Sequence, residues 1–237
     1  MMLESIEVTK KYVGKIAVDG ITMQLEPGHI YAMLGPNGSG KTTWMKMAAG
    51  LIKPTFGEIR YNGEPIGIET RNDIAYMSTE PFFYDYMTVG DVGKYYQDFF
   101  DDFSMKKYDD LLEKMSLEKK LKVKSLSSGM LAKLKVAVTM ARNAKIYMLD
   151  EPLNGIDLLA RDSVMNMILT SAGEDNTLII SSHLVEELES VVDKAIFIKE
   201  AHFAGMVDVE ELRTVEGISL ADKYRQVFGG IEMGGMQ

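Results

Sequence analysis

The run Gly35-Pro36-Asn37-Gly38-Ser39-Gly40-Lys41-Thr42-Thr43 sets glycines, a lysine and a threonine at the spacing needed to hold a nucleoside triphosphate. In such a loop the main-chain N–H groups turn inward around the phosphates, and the following helix adds the partial positive charge of its N-terminus. Lys41 would reach the β- and γ-phosphates, and the Thr42 hydroxyl would ligate Mg2+. A glycine-rich turn without a ligand is the plainer alternative. The flanks weigh against it: His29 to Leu34 is a short apolar strand candidate, and Thr42 to Ala49 reads as a helix ended near Gly50 and Pro54.

Two carboxylates stand at the end of another apolar run, Ile146 to Leu149 leading into Asp150 and Glu151. A parallel sheet presents its ligand site at the C-terminal ends of its strands. Asp150 is thereby placed to hold Mg2+ through water, and Glu151 to orient or deprotonate an attacking water. Alone, an apolar run ending in Asp-Glu is an ordinary strand end; downstream of a phosphate loop it becomes a metal-and-base pair. Leu126-Ser127-Ser128-Gly129-Met130 precedes Leu131 to Ala141, where apolar residues fall at helical spacing. The free N–H groups, hydroxyl and dipole of such a helix start suit an anion, while a plain N-cap by Ser127 or Ser128 is the simpler reading of that segment alone. His183 follows the apolar Thr177 to Ile180 as a lone histidine, a kind more often structural than functional.

These groups need a sheet and helices to hold them. The chain has 237 residues, 46% of them hydrophobic, enough for one core with an appended subdomain. Leu3 to Val8, Ala17 to Leu25 and Glu58 to Tyr61 read as short strands, the first two separated by a turn around Val13, Gly14 and Lys15, which predicts an antiparallel β-layer. Strands at 146–149, 177–180 and 195–198, with a helix over Arg161 to Ser171, predict a largely parallel sheet. Residues 81–142 are expected to form an inserted helical subdomain, opening on a mixture of acidic residues and the aromatics Phe82, Phe83, Tyr84, Tyr86, Tyr95, Tyr96, Phe99 and Phe100. Gly229, Gly230, Gly234 and Gly235 predict a flexible tail over 229–237 of a single domain, 1–237.

With 26 basic and 35 acidic residues and a net charge of −9, a general nucleic-acid-binding surface is disfavoured, whereas a local ATP pocket is not. The absence of cysteine excludes disulfides and thiolate metal sites. No stretch approaches the roughly 18 apolar residues that span a bilayer, and the N-terminus lacks a secretion signal. A soluble chain is expected, associated with a membrane only through a partner.

In this order the pieces resemble the nucleotide-binding subunit of an ATP-binding-cassette (ABC) transporter, from about Leu3 to Phe228. GPNGSGKTT is similar to the Walker A motif, LSSGM to the signature usually written LSGGQ, IYMLDE to Walker B, PLNGID to the D-loop and His183 to the switch histidine. The resemblance implies a P-loop NTPase (RecA-like) α/β core with a mostly parallel sheet, an N-terminal antiparallel β-layer and an inserted α-helical subdomain. It also implies that two cassettes, identical or homologous, pair head to tail around two ATP molecules. Asn37, Gly38, Ser39, Gly40, Lys41, Thr42 and Thr43 would hold ATP, with Tyr12 stacked on adenine and Val18 beside it; a surface tyrosine at a turn is the alternative for Tyr12. Ser127 and Gly129 would touch the γ-phosphate of ATP held by the opposite subunit, and Asp157 would couple the two sites. His183 would hydrogen-bond the γ-phosphate and help hold the water that Glu151 polarises, and Lys41 would complete the catalytic set.

Two departures stand out. Ile74 to Pro81 resembles the family's IGYLPQEP, with Thr79 at the place of the Q-loop glutamine. Thr79 is shorter and would reach Mg2+ only through water or a shifted loop, and Glu80 is a substitute to consider. Ser128 and Met130 stand where the signature usually has glycine and glutamine.

The resemblance implies an ATPase, using ATP and Mg2+, that powers a transporter whose membrane-spanning permease is a separate chain, at the cytoplasmic face of the cell membrane. Export is the expected direction. No extra C-terminal regulatory domain like that of many importer cassettes is expected, and the sequence resembles single-cassette exporters of Gram-positive bacteria, some of which expel amphipathic or antimicrobial peptides such as phenol-soluble modulins. The aromatics after the Q-loop fall where the family docks a coupling helix of the permease; packing in the core is the alternative. The rival reading is a soluble ABC ATPase acting on ribosomes or nucleic acid, whose members generally carry tandem cassettes or a long coiled-coil insertion. A third, a non-hydrolysing regulatory module, is opposed by the presence of Lys41, Asp150, Glu151 and His183.

Overall fold

A computed structural model describes residues 2–80, 82–173 and 175–229. Strands β1 (Leu3–Tyr12) and β2 (Lys15–Leu25) form an antiparallel hairpin. The chain then enters β3 (Ile30–Leu34), helix α1 (Lys41–Ala48), β4 (Phe56–Tyr61), β5 (Glu64–Pro65) and β6 (Ile74–Met77). Helices α2 (Val89–Phe99), α3 (Met105–Lys114) and α4 (Ser128–Met140) follow before the chain returns as β7 (Ile146–Asp150). The remainder runs α5 (Leu158–Ala172), β8 (Thr177–Ser182), α6 (Val185–Leu188), β9 (Lys194–Lys199), β10 (His202–Asp208), α7 (Val209–Glu211) and α8 (Leu220–Phe228).

Two sheets result: a four-stranded antiparallel layer in the order β2-β1-β4-β5, and a six-stranded sheet in the order β10-β9-β3-β8-β7-β6. The latter is parallel except for β10 at its edge. Alternate residues of its central strands enter two different cores. Tyr31, Met33, Ile146, Met148, Ile179, Ile196 and Ile198 pack with α1 and the antiparallel layer. Ala32, Leu34, Tyr147, Leu149, Leu178, Ile180 and Phe197 pack with the helices of the other face. Both faces are covered, which is why these strands read as continuous apolar runs.

The predicted strands are all present, each a little longer than expected except β3, which starts one residue later at Ile30, and the hairpin turn is tighter, since Lys15 already pairs with Tyr12. Among the elements that carried no clear signal are β6, β10 and α8. β6 is short and runs directly into polar residues. β10 alternates half-buried and exposed residues, as an edge strand facing solvent does. α8 packs by Tyr224 and Phe228, the latter ring 6.2 Å from that of Phe197. Pro81, the expected start of the helical insertion, and the expected flexible tail from residue 230 onward lie outside the described residues.

The insertion is fastened to the sheet by a buried cation just beyond α4. Arg142 is 5% exposed; its Nε donates to both carboxylate oxygens of Asp102 at 3.0 and 3.1 Å, and its terminal nitrogens donate to the carbonyls of Arg71, Asn72 and Ile74. The guanidinium also stacks on Phe100, 4.2 Å from the ring centre. Removing one partner of a buried ion pair strands the other. Arg142→Met is therefore expected to lower unfolding stability by about 3 kcal/mol, read by urea denaturation, with the midpoint falling at unchanged slope.

Candidate active site

The phosphate loop is shaped by what surrounds it. Trp44 of α1 is fully buried, and its indole N–H donates to Ser5 of β1 at 2.9 Å, fixing the helix between the two sheets. Gly40, the residue before α1, has φ +112°, and a Cβ there would lie 2.4 Å from the Ala17 carbonyl oxygen, so only glycine brings the loop this close to β2. The first turn of α1 has no side-chain cap and no acidic residue, leaving its N–H groups and dipole available to an anion. Lys41 is 6% exposed and folds back on the loop, donating to the carbonyls of Gly35 at 2.7 Å and Pro36 at 3.2 Å. Burial holds its ammonium below the ordinary lysine value, and the charges of Glu151 and Asp150 oppose that shift.

The carboxylates stand opposite. Asp150 ends β7 with no solvent exposure; the Ser181 hydroxyl donates to its Oδ1 at 2.6 Å and the Tyr76 hydroxyl to its Oδ2 at 3.3 Å. Burial, then the Asp150 charge, push the Tyr76 phenol well above its ordinary value and keep it a donor. Glu151 has φ +51°, a left-handed conformation uncommon for a residue with a side chain. It is held there by its N–H, which donates to the carbonyl and hydroxyl oxygens of Ser181 at 3.2 and 3.0 Å. The strained turn aims the carboxylate at the loop. His183 Nδ1 lies 2.9 Å from Glu151 Oε2, so the carboxylate accepts from the imidazole Nδ1–H.

These groups meet around a cavity of about 270 Å³ lined by Lys15, Ala17, Asn37, Gly38, Gly40, Lys41, Thr42, Thr43, Thr79, Glu151, Asn154 and His183. Among the buried side-chain atoms with no hydrogen-bond partner within the protein is Glu151 Oε1, on the wall of this cavity. A buried polar atom left unpaired is costly, and this one suits a site built to receive a polar ligand; the Ser39 hydroxyl is also unpaired, but Ser39 does not line the cavity. The donor set also fits Mg2+, which is usually held by one or two carboxylates, substrate phosphates and retained waters. No group of three or more His, Cys, Asp or Glu forms a metal cage among the described residues.

Other expected site residues sit elsewhere. Asp150 lies behind the cavity, and Val18 is fully buried in the core below Gly40 while its neighbour Ala17 faces the cavity. Tyr12 is half exposed on the hairpin, with Lys10 Nζ over its ring. Ser127 and Asp157 are the N-caps of α4 and α5, accepting from Met130 N–H and Ala160 N–H. Gly129 packs against the D-loop of its own chain, where a Cβ would meet the Gly155 carbonyl oxygen at 3.0 Å. Glu80 turns toward Lys46 of α1, 3.9 Å away. Lys15, Asn154, Ser181 and Tyr76 were not singled out by the sequence. Ser181 had a usable signal, two residues before His183 at the end of an apolar run.

A strand, a glycine-rich loop and a helix N-terminus facing two carboxylates at the end of a parallel strand define a P-loop nucleoside triphosphatase. The family model described as ABC transporter matches residues 18–154, and the chain belongs to that family. It is an ATP-binding cassette, an ATPase that works with ATP and Mg2+. It is 34% identical over 212 residues to the uncharacterized ABC transporter ATP-binding protein YcbN of Bacillus subtilis, covering 87% of this chain and 69% of that one. It is 31% identical over 219 residues to the lantibiotic transport ATP-binding protein SrtF of Streptococcus pyogenes, covering 89% and 95%. A solved structure of the ATP-binding subunit of an ABC transporter shares the fold at a TM-score of 0.84 and 23% identity, covering 96% of this chain and 99% of that chain.

Proposed function

We propose that the chain is the ATP-hydrolysing subunit of an exporter, that its catalytic site is completed by a second cassette, and that a separate membrane-spanning permease docks on its helical insertion. The observation that carries the reading is the split of the site. Phosphate loop, Thr79, Glu151 and His183 line one cavity, whereas Ser127, Gly129 and Asp157 line none of it. Ser127 uses its oxygen as an acceptor within α4, which leaves its O–H to donate to an anion presented from another molecule. A second copy, placed head to tail, would bring that donor and the α4 N-terminus onto the γ-phosphate, making closure conditional on ATP.

Within the cavity, Lys41 holds the β- and γ-phosphates, with the loop N–H groups from Asn37 to Thr43 around them. Thr42 and, through water, Asp150 and Thr79 would hold Mg2+, which would supply charge neutralisation on the phosphate oxygens. Glu151 orients and deprotonates the water, and His183, oriented by Glu151, contacts the γ-phosphate.

The aromatic segment divides its work. Phe83 packs against the core, while Tyr84 and Tyr86 are 53% and 72% exposed and stack on each other at 5.4 Å. The Tyr84 ring also meets that of Tyr95 at 6.3 Å, whose chain neighbour Tyr96 lines, with Lys46, Leu51, Ile52, Tyr76, Ser78, Glu80 and Phe82, a groove of about 450 Å³. No helix among the described residues is long and apolar enough to cross a membrane, and association at the cytoplasmic face through this groove is the reading we favour. Export of amphipathic or antimicrobial peptides is supported by the likeness to a cassette named for lantibiotic transport. In detergent extracts the tagged chain is expected to retain a polytopic membrane protein, and the Tyr84→Ser/Tyr86→Ser double variant to lose it while keeping ATP affinity. Retention of ribosomes or nucleic acid instead would support the rival reading.

A further inference from the structure

Helix α4 carries a charge in the middle of its buried stretch. Leu134, Val136, Ala137 and Val138 are fully buried, and Lys135 among them is only 8% exposed. A buried ammonium is expected to find a carboxylate, yet among the described residues Lys135 forms no ion pair. Its Nζ instead donates to two main-chain carbonyls, Ser78 at 3.0 Å and Thr79 at 2.8 Å. Burial holds the ammonium below the ordinary lysine value, and the Asp150 charge opposes this. A methionine would fill the same space without desolvating a charge, so what Lys135 holds is the reason to look for a role.

Those two carbonyls belong to the segment that leaves the sheet. The pairing of β6 with β7 ends at Met77 and Leu149, so Ser78 and Thr79 lie beyond the ladder. Thr79 nevertheless lines the nucleotide cavity beside Glu151 and His183. Just before it, Tyr76 donates to Asp150. Lys135 therefore grips the segment at the point where it passes the catalytic carboxylates. The other end of the same helix begins at Ser127 and Gly129, eight residues from Lys135 to Ser127, which is roughly 12 Å of rigid helix.

We propose that Lys135 is a positioning residue that clamps the Thr79 segment to α4, so that the wall of the nucleotide cavity and the signature end of the helix move as one piece. The inference rests on the hydrolytic site and not on the permease. It predicts a defect in turnover and in the metal requirement with little change in nucleotide affinity.

The test uses the purified full chain with Lys135→Met, which removes the donor at similar size, and Lys135→Arg, which keeps charge and donors. Turnover, KM for ATP, half-saturating Mg2+ and melting temperature are measured together. Lys135→Met is expected to lose about tenfold in kcat and to need several-fold more Mg2+, with KM for ATP within about twofold, as misplacement of a site wall by a fraction of an ångström allows. Its melting temperature should not fall, and Lys135→Arg should regain most of the rate. A native rate and Mg2+ requirement in Lys135→Met would overturn the proposal, as would Lys135→Arg as impaired as Lys135→Met. A rate loss that only follows a lower melting temperature would also overturn it. If Lys135→Met does not fold, Lys135→Leu, which also lacks a donor, takes its place under the same criteria. Glu151→Gln run alongside separates the two levels: were it also as active as the native chain, the hydrolytic assignment would have failed, not the clamp.

Discussion

Glu151→Gln is expected to bind ATP as the native chain does and to hydrolyse it about 10²–10⁴ times more slowly, the usual contribution of a positioned general base. The proposed role of Glu151 as base rests on its surroundings. One oxygen is engaged by His183 Nδ1 and the other is buried with no protein partner, leaving it to a water at the γ-phosphate. The amide is nearly isosteric, and its oxygen can take over the contact with the imidazole while its NH2 faces the water. It then donates where the carboxylate accepted, so the proton has nowhere to go. Phosphate release measured beside ATP binding checks the result; native turnover would remove Glu151 from the role.

The second large effect falls on binding. Lys41→Met is expected to weaken ATP affinity roughly 100-fold, the equivalent of about 3 kcal/mol for lost charge-assisted hydrogen bonds to phosphate. Its melting temperature at neutral pH should stay level or rise. Burial lowers the Lys41 pKa in the folded chain, so the unfolded chain binds this proton more tightly. The resulting penalty on folding is present in full below the folded pKa and disappears as pH rises past the ordinary lysine value. Methionine carries no such penalty, and the variant should lose that alkaline gain in stability. Titration calorimetry with ATP and melting curves from neutral to alkaline pH read both effects.

The contrast between these residues and those the sequence passed over has a physical cause. Lys41, Thr42, Asp150 and Glu151 are legible because their chemistry is local: a loop needs glycine and lysine at fixed offsets, and an apolar strand that ends in two acids declares its sheet position. Ser181 and Tyr76 touch Asp150 only through strand register, Asp150 facing Ser181 across β7 and β8. Lys135 reads in sequence as one more polar residue on a helix, since its partners are carbonyls 56 and 57 residues away. β6 and β10 were missed for related reasons, one too short for a pattern and the other an edge strand with a half-buried face. The aromatic run after Glu80 divides between core and surface, and composition could not assign each ring.

The half-site claim is tested most directly by the molar mass of Glu151→Gln in solution, measured by light scattering with and without ATP and Mg2+. The variant should be monomeric without nucleotide and double its mass when ATP and Mg2+ are saturating, because nothing then removes the γ-phosphate that joins the two cassettes. A monomer at saturating ATP would contradict the account, since Ser127 and Gly129 would then have no phosphate to meet.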